Sequence, residues 1–171
     1  MSERQVDATR TYLEMRDRTA LRRAAKPPGV IEVNQLRRCP PSFWRYLYVE
    51  VGRAHRWTDR LPWTDAEIAA YLADPAVELW LLSVEHVPAG YFELRQDGEG
   101  GTEIAYFGLL PEFLGRGLGK YLLTAAVDRA WHRGPTRVWL HTLTLDHPAA
   151  LPNYTSRGFT PYRTEQVRVS P

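Results

Sequence analysis

The stretch from Phe107 to Lys120, F-G-L-L-P-E-F-L-G-R-G-L-G-K, sets Gly115, Gly117 and Gly119 at alternate positions between a strand-like apolar run and a helix-like one. This arrangement suits a diphosphate. Glycines let the backbone approach an anion with no side chain between, the free N–H groups of the following helix point at it, and the helix dipole favours its charge. Arg116 and Lys120 add positive charge beside the turn, with Leu118 at the head of the helix. The count excludes a P-loop, because only three residues separate Gly115 from Gly119 and Tyr121 follows Lys120 where Ser or Thr is required. A dinucleotide fingerprint fails as well, since the third position after Gly117 is Lys120. A plain loop and helix start is the other reading of these glycines.

Leu109, Leu110 and Pro111 close the strand before this turn. Further on, R-V-W-L-H-T from Arg137 to Thr142 reads as a strand, followed by L-D-H-P-A-A-L-P-N-Y-T-S-R-G-F from Leu145 to Phe159. The two stretches resemble motifs A and B of the GCN5-related N-acetyltransferase (GNAT) superfamily. In that family a hydrophobic-x-Pro step leads into an Arg/Gln-x-x-Gly-x-Gly/Ala loop that holds the pyrophosphate of acetyl-coenzyme A. Gly117 and Gly119 fall on the family glycines, whereas Leu114 stands where Arg or Gln is expected and removes one side-chain donor. In the second stretch Ala150, Tyr154, Gly158 and Phe159 match the family positions, and His147 replaces the usual asparagine. The resemblance covers roughly Leu79 to Tyr162, and the N-terminal half only by order of elements.

The resemblance implies an α/β, single-domain GNAT-like fold over residues 1–171, with acceptor-side helices at about 42–74 and a core at about 79–170. Its mostly antiparallel central sheet is expected to be flanked by helices and splayed at the acyl-CoA site, between the strands at 102–109 and 137–142. Acetyl-CoA is the expected cofactor, with coenzyme A as product. Leu109, Leu110, Gly115, Arg116, Gly117, Leu118, Gly119, Lys120 and His147 are the residues expected around it, and no metal is expected. The backbone of Leu109 and Leu110 is expected to pair with the pantetheine arm as an added strand, one N–H polarising the acetyl carbonyl.

Direct transfer to an amine needs a neutral nucleophile and a proton donor for the departing thiolate. Glu103 matches the strand glutamate that serves as general base in the histone-acetyltransferase branch of the superfamily. Simple alternation puts it on one face with Ala105 and Phe107, opposite Ile104 and Tyr106, where it is able to face a cleft. A solvated glutamate at a strand start is the competing reading. Tyr154 falls on the family tyrosine that protonates the sulfur, and a phenol with a reference pKa near 10 is a loaded donor at neutral pH. A packed core tyrosine is its alternative. Trp57, Asp59 and Trp63, in the segment from His55 to Trp63, are candidates to bind the acceptor by cation–π and ionic contact, or else ordinary packing.

The chain has 171 residues, with 22 basic and 20 acidic side chains for a net charge of +2, so it carries no broad attraction to nucleic acid or membrane. Cys39 is its only cysteine, and His132, His141 and His147 lack metal-ligand spacing. The first segment, with Glu3, Arg4, Asp7 and Arg10, has no signal-peptide core, and no run of 18 apolar residues occurs. The expectation is a soluble, unprocessed, cytoplasmic N-acetyltransferase acting on a small-molecule or peptide amine, with a homodimer possible. A non-catalytic acyl-CoA-binding or sensor protein is the alternative function.

The elements that must position these groups follow from apolar periods. Thr11–Met15 and Val30–Leu36 read as early strands, Ser42 as the cap of a helix ending near Gly52, and Thr64 with Glu67 as a capping box. Strands follow at Glu78–Val84, at Tyr91–Arg95 after a Pro88-Ala89-Gly90 turn, and at Thr102–Leu109 after a polar hairpin. Leu118, Leu122, Ala125 and Ala126 stripe a helix ending near Trp131. Asp146 and His147 are placed to cap the last helix, with Pro148 in its first position and Pro152 expected to shorten, kink or split it.

Overall fold

The computed structural model describes residues 5–170; Glu3 and Arg4 of the opening segment lie outside them. The chain runs β1 (Val6–Met15), β2 (Ile31–Gln35), α1 (Pro41–Gly52), α2 (Asp65–Ala73), β3 (Val77–Val84), β4 (Val87–Gln96) and β5 (Gly101–Leu109). It continues through α3 (Leu118–Trp131), β6 (Arg137–Leu143), α4 (Ala150–Ser156) and β7 (Thr160–Val169). The strands form one sheet in the order β2-β3-β4-β5-β6-β1-β7. Every neighbouring pair is antiparallel except β5 and β6. The fold is therefore α/β with a mostly antiparallel central sheet, and helices cover both faces.

Alternation along the central strands divides the core. Phe92 and Leu94 of β4 and Ile104 and Phe107 of β5 join Leu122, Leu123, Ala126 and Val127 of α3 on one face. Tyr91 turns to the other, where it meets Trp44, Leu47, Tyr48 and Val51 of α1 and Ile68 of α2. Gly108 lets α1 settle on β5, because a Cβ there would collide with Val51 and His55.

The parallel pair opens the sheet. β5 and β6 are in register only at Gly101↔Arg137, Thr102↔Val138 and Glu103↔Trp139. Beyond Glu103 they separate, as expected for a splayed sheet. β1 is longer than the sequence predicts and lies at the far end from β2, wedged between β6 and β7. The connection from β1 to β2 crosses the outer side of α3, where Arg23 pairs with Asp128 and Ala24 N–H donates to Thr124 Oγ1.

Local signals were displaced at three points. Pro40 occupies the N-cap of α1 with Pro41 in the first turn, so Ser42 makes no cap bond. The β3–β4 turn is Glu85-His86, both with positive φ (50° and 66°), and Pro88 lies inside β4 beside a register shift at Leu82/Ser83. The last helix begins at Ala150 after an Ala149 cap. Asp146 instead accepts from Thr142 Oγ1 and Leu143 N–H at the end of β6. Pro152 then falls in the first turn, where no intrahelical donor is needed, and the helix is short without a break. By contrast the Thr64–Glu67 capping box forms in both directions, at 3.2 and 2.7 Å.

Candidate active site

The opening between β5 and β6 leads into a cleft of about 590 Å³. Its wall brings together Glu103 and Tyr154 with Trp57, Asp59 and Trp63, residues spread over nearly a hundred positions of sequence. The glycine turn and His147 do not line this cleft; they lie at the heads of the two helices that follow the separating strands.

At the head of α3, Gly117 is the N-cap in the left-handed region, φ 75°, and Gly115 has φ 77°. A Cβ at either would meet no atom within 4 Å, so the turn presents bare backbone to open space. α3 has no side-chain cap bond, which leaves its first N–H groups for an anion. The Arg116 guanidinium rests over the Phe113 ring, 5.2 Å from its centroid. Asn153 of α4, which sequence reasoning passed over, donates to Gly119 O at 3.2 Å and ties the two helix starts together. This open cradle, with its basic flank, fits a pyrophosphate such as that of acetyl-CoA. Just past the end of β5, Leu110 N–H donates to Ala89 O (2.8 Å), so alternation turns the backbone groups of Leu109 toward the side that β6 has left.

Glu103 faces the cleft by a route that alternation alone does not reveal. β4 pairs Glu93 with Tyr106 but Leu94 with Ile104, so Ala105 is an extra residue in β5. This bulge reverses the expected faces: Glu103 shares a side with Tyr106, and Ile104 shares the other with Phe107. Glu103 is 3% exposed. Its Oε2 accepts from Arg95 at 2.5 Å, and its Oε1 lies 3.9 Å from Nε2 of His141. Tyr154 is buried and packs edge-on against Phe107 and Phe159. Burial, reinforced by the charge of Asp146, raises its pKa, which keeps the phenol protonated at neutral pH.

In the loop between α1 and α2, Asp59 receives Tyr48 Oη at 2.7 Å and Tyr106 Oη at 2.6 Å, one on each oxygen. Trp57 packs edge-on to Tyr106 with centroids 4.7 Å apart and stacks on His55 at 5.0 Å. Trp63 stacks on Trp44 and lies 4.7 Å from the Arg60 guanidinium, as much in the second core as in the cleft. Arg60 is the anchor of this loop. Its Nη1 donates to both carboxylate oxygens of fully buried Glu93 (2.8 and 3.1 Å), and its guanidinium lies 4.1 Å from the Tyr106 centroid. Neither Arg60 nor Glu93 carries a local motif, and only the pairing of β4 with the distant loop brings them together. Cys39 is set apart from this chemistry, its thiol pushed up to about 11 by burial. Among the described residues no helix is long and apolar enough to cross a membrane, and no group of three metal-ligating side chains is found.

A family model of the GNAT acetyltransferases matches residues 36–159. No curated protein sequence matches the chain. Among solved structures, a GCN5-related N-acetyltransferase from Kribbella flavida superposes with a TM-score of 0.67 at 22% identity, over 94% of this chain and 56% of that one. An aminoglycoside acetyltransferase from an uncultured soil metagenomic sample gives 0.62 at 18% identity, covering 80% and 91%. The ribosomal-protein-S18-alanine N-acetyltransferase of Escherichia coli gives 0.61 at 17%, covering 78% and 80%. The chain spans only 56% of the Kribbella chain and 61% of a Staphylococcus epidermidis protein of the same fold. With more than half of its length matched by the family model, the chain belongs to the GNAT acetyltransferase family.

Proposed function

We propose that this chain moves an acetyl group from acetyl-CoA to a primary amine by direct attack. One observation carries the reading: β5–β6 pairing stops at Glu103, and the opening it creates lies between bare glycine backbone at the head of α3 and a cleft holding Glu103 and Tyr154. When bound, acetyl-CoA supplies a thioester carbonyl open to an amine and a thiolate leaving group.

The residues divide the work by what each can donate or accept. Backbone N–H groups from Gly115 to Lys120 hold the pyrophosphate, with Arg116 and Lys120 adding charge. Leu109 N–H faces the pantetheine side and is placed to polarise the carbonyl. Glu103, at the edge of the cleft, helps the acceptor ammonium lose a proton, and Tyr154 gives its proton to the departing sulfur. As the C–N bond forms and the C–S bond breaks, the nitrogen sheds two protons. One balances the proton delivered to sulfur, and the other reaches solvent.

Trp57 and Asp59 line the acceptor approach. The solved neighbours include one named for aminoglycosides and one for an alanine of a ribosomal protein, so this fold serves both small and protein acceptors. Our reading keeps both as classes of amine, and a cytoplasmic setting goes with it. The test is a primary-amine panel with thiol-release detection on the purified chain. Turnover with at least one amine is expected; coenzyme A binding without any turnover would leave only a binding protein.

A further inference from the structure

Glu103 is poorly free to act alone, since Arg95 already holds one of its oxygens. The residue facing its other oxygen is His141, two positions beyond Trp139, the last residue of β6 to pair with β5. In a strand, residues two apart share a face, so His141 is the first β6 side chain to look into the opening beside Glu103. Its ring lines the cleft, and its Nδ1 is buried without a partner among the described residues.

Oε1 of Glu103 and Nε2 of His141 are 3.9 Å apart, too far to bond each other. A nitrogen set about 2.8 Å from both would subtend an angle of roughly 90° at itself, which two N–H bonds of an ammonium can meet with modest bending. Resting on the transferase reading above, we propose that His141 is the proton acceptor of the reaction and that the substrate ammonium is bound between His141 Nε2 and Glu103 Oε1.

In this step the ammonium N–H bond breaks, its electron pair stays on nitrogen as the nucleophile, and the proton becomes the second N–H of an imidazolium. Glu103 stabilises that imidazolium and is itself fixed by Arg95. Because the proton goes on to solvent, His141 returns neutral for the next turnover.

The surroundings suit a base that is neutral at rest. Tyr12 of β1 packs against the His141 ring with centroids 5.5 Å apart. Tyr12 and Arg10 of β1 are both held by Glu165 of β7. Burial lowers the histidine's pKa, Glu103 opposes that, Arg10 adds to it, and Asp146 and Asp59 oppose it more weakly. Arg95 acts through Glu103.

The experiment combines a titration that needs no turnover with a rate profile. Imidazole NMR of the wild-type chain, with the His141 signal assigned by its loss in His141→Gln, should give a midpoint below the ordinary value near 6.5. Glu103→Gln should move it lower still, because an attractive charge is removed. With the best amine of the panel, the acidic limb of kcat/KM should follow the same midpoint, and His141→Gln should lose about 100-fold while coenzyme A affinity holds. Free imidazole should restore part of the activity of His141→Ala. A His141→Gln enzyme of full activity, or a midpoint indifferent to Glu103→Gln, overturns the proposal. Absence of turnover with every amine would sink the transferase reading, and the titration alone would still decide whether Glu103 governs His141.

Discussion

At the head of α3, Gly115 and Gly117 turn the chain with φ of 77° and 75°, and nothing packs where their side chains would be. Across the opening, the 53–64 loop is held by side chains: Arg60 on Glu93, and Asp59 on Tyr48 and Tyr106. One wall of the site is shaped by backbone and the other by contacts made over long sequence separations. Backbone shape follows from local residue type, so it tolerates drift elsewhere in the chain. A wall of interlocked side chains fixes a specific cavity, and altering one member disturbs the rest.

The sharpest way to break the comparison is to remove one partner from the side-chain wall. Glu93→Ala leaves the Arg60 guanidinium buried among aromatic rings without its counter-charge, and breaking such a pair costs about 3–5 kcal/mol. Urea unfolding should show that loss. Binding of coenzyme A to the protein that remains folded should be little affected. A Glu93→Ala chain as stable as the parent would mean that Arg60 is carried by its rings alone.

Gly117→Asp is the matching change on the backbone wall, and its signature should be reversed. Asp accepts the left-handed conformation at modest cost, so the fold survives, but a carboxylate now projects into the phosphate cradle. Coenzyme A should lose at least about 100-fold in affinity, equivalent to about 2.7 kcal/mol, and with it the thermal protection given to the parent. Calorimetry showing equal affinity in the folded variant would remove the cradle assignment.

The same contrast decides what was legible in the sequence. The glycine turn, the strand before it, the α3 stripe and the Thr64–Glu67 box are all local patterns, and each element stands where its residues predict. The splay was legible too, through the resemblance of the two motifs. Which residues share the face of Glu103 was not, because a single extra residue at Ala105 reverses alternation and nothing in E-I-A-Y-F announces it. Nor was the place of His141 beside Glu103, which depends on where β5 and β6 part. Its strand does carry the clue in retrospect, since Val138, Leu140 and Thr142 are buried while Trp139 and His141 share the other face. β1 was read as a short early strand, and its place between β6 and β7 depends on pairing partners more than 120 residues away.

Between the walls, Tyr154 tests the chemistry itself. Tyr154→Phe keeps the ring contacts with Phe107 and Phe159 and deletes only the hydroxyl. Turnover should fall by about 10- to 100-fold, with coenzyme A affinity almost unchanged. Single-turnover kinetics are the right measurement, because they isolate the chemical step. An unaltered rate there assigns the residue to packing.

The smallest expected effect lies in the side-chain wall's dependence on pH. His55, stacked on Trp57 and pressed against Gly108, has its pKa lowered by burial, with Asp146 opposing and His147 adding to the shift. His141 is shifted in the same direction, again chiefly by burial. For a base whose folded-state pKa is depressed, the unfolded chain binds protons that the folded chain refuses. Stability is therefore full above the unfolded value near 6.5 and declines as pH falls below it. Each histidine exchanges at most one proton, which limits the slope it adds to about 1.4 kcal/mol per pH unit. Carboxylates held low by their partners, such as Glu14 and Asp97, add their own loss only at more acidic pH. Urea unfolding at pH 7.5, 6.5 and 5.5 should show the decline, and His55→Gln should flatten part of it while leaving the coenzyme affinity of the glycine turn intact. If the decline is as steep in His55→Gln as in the parent, the side-chain wall does not carry this titration, and the contrast between the two walls holds for packing but not for charge.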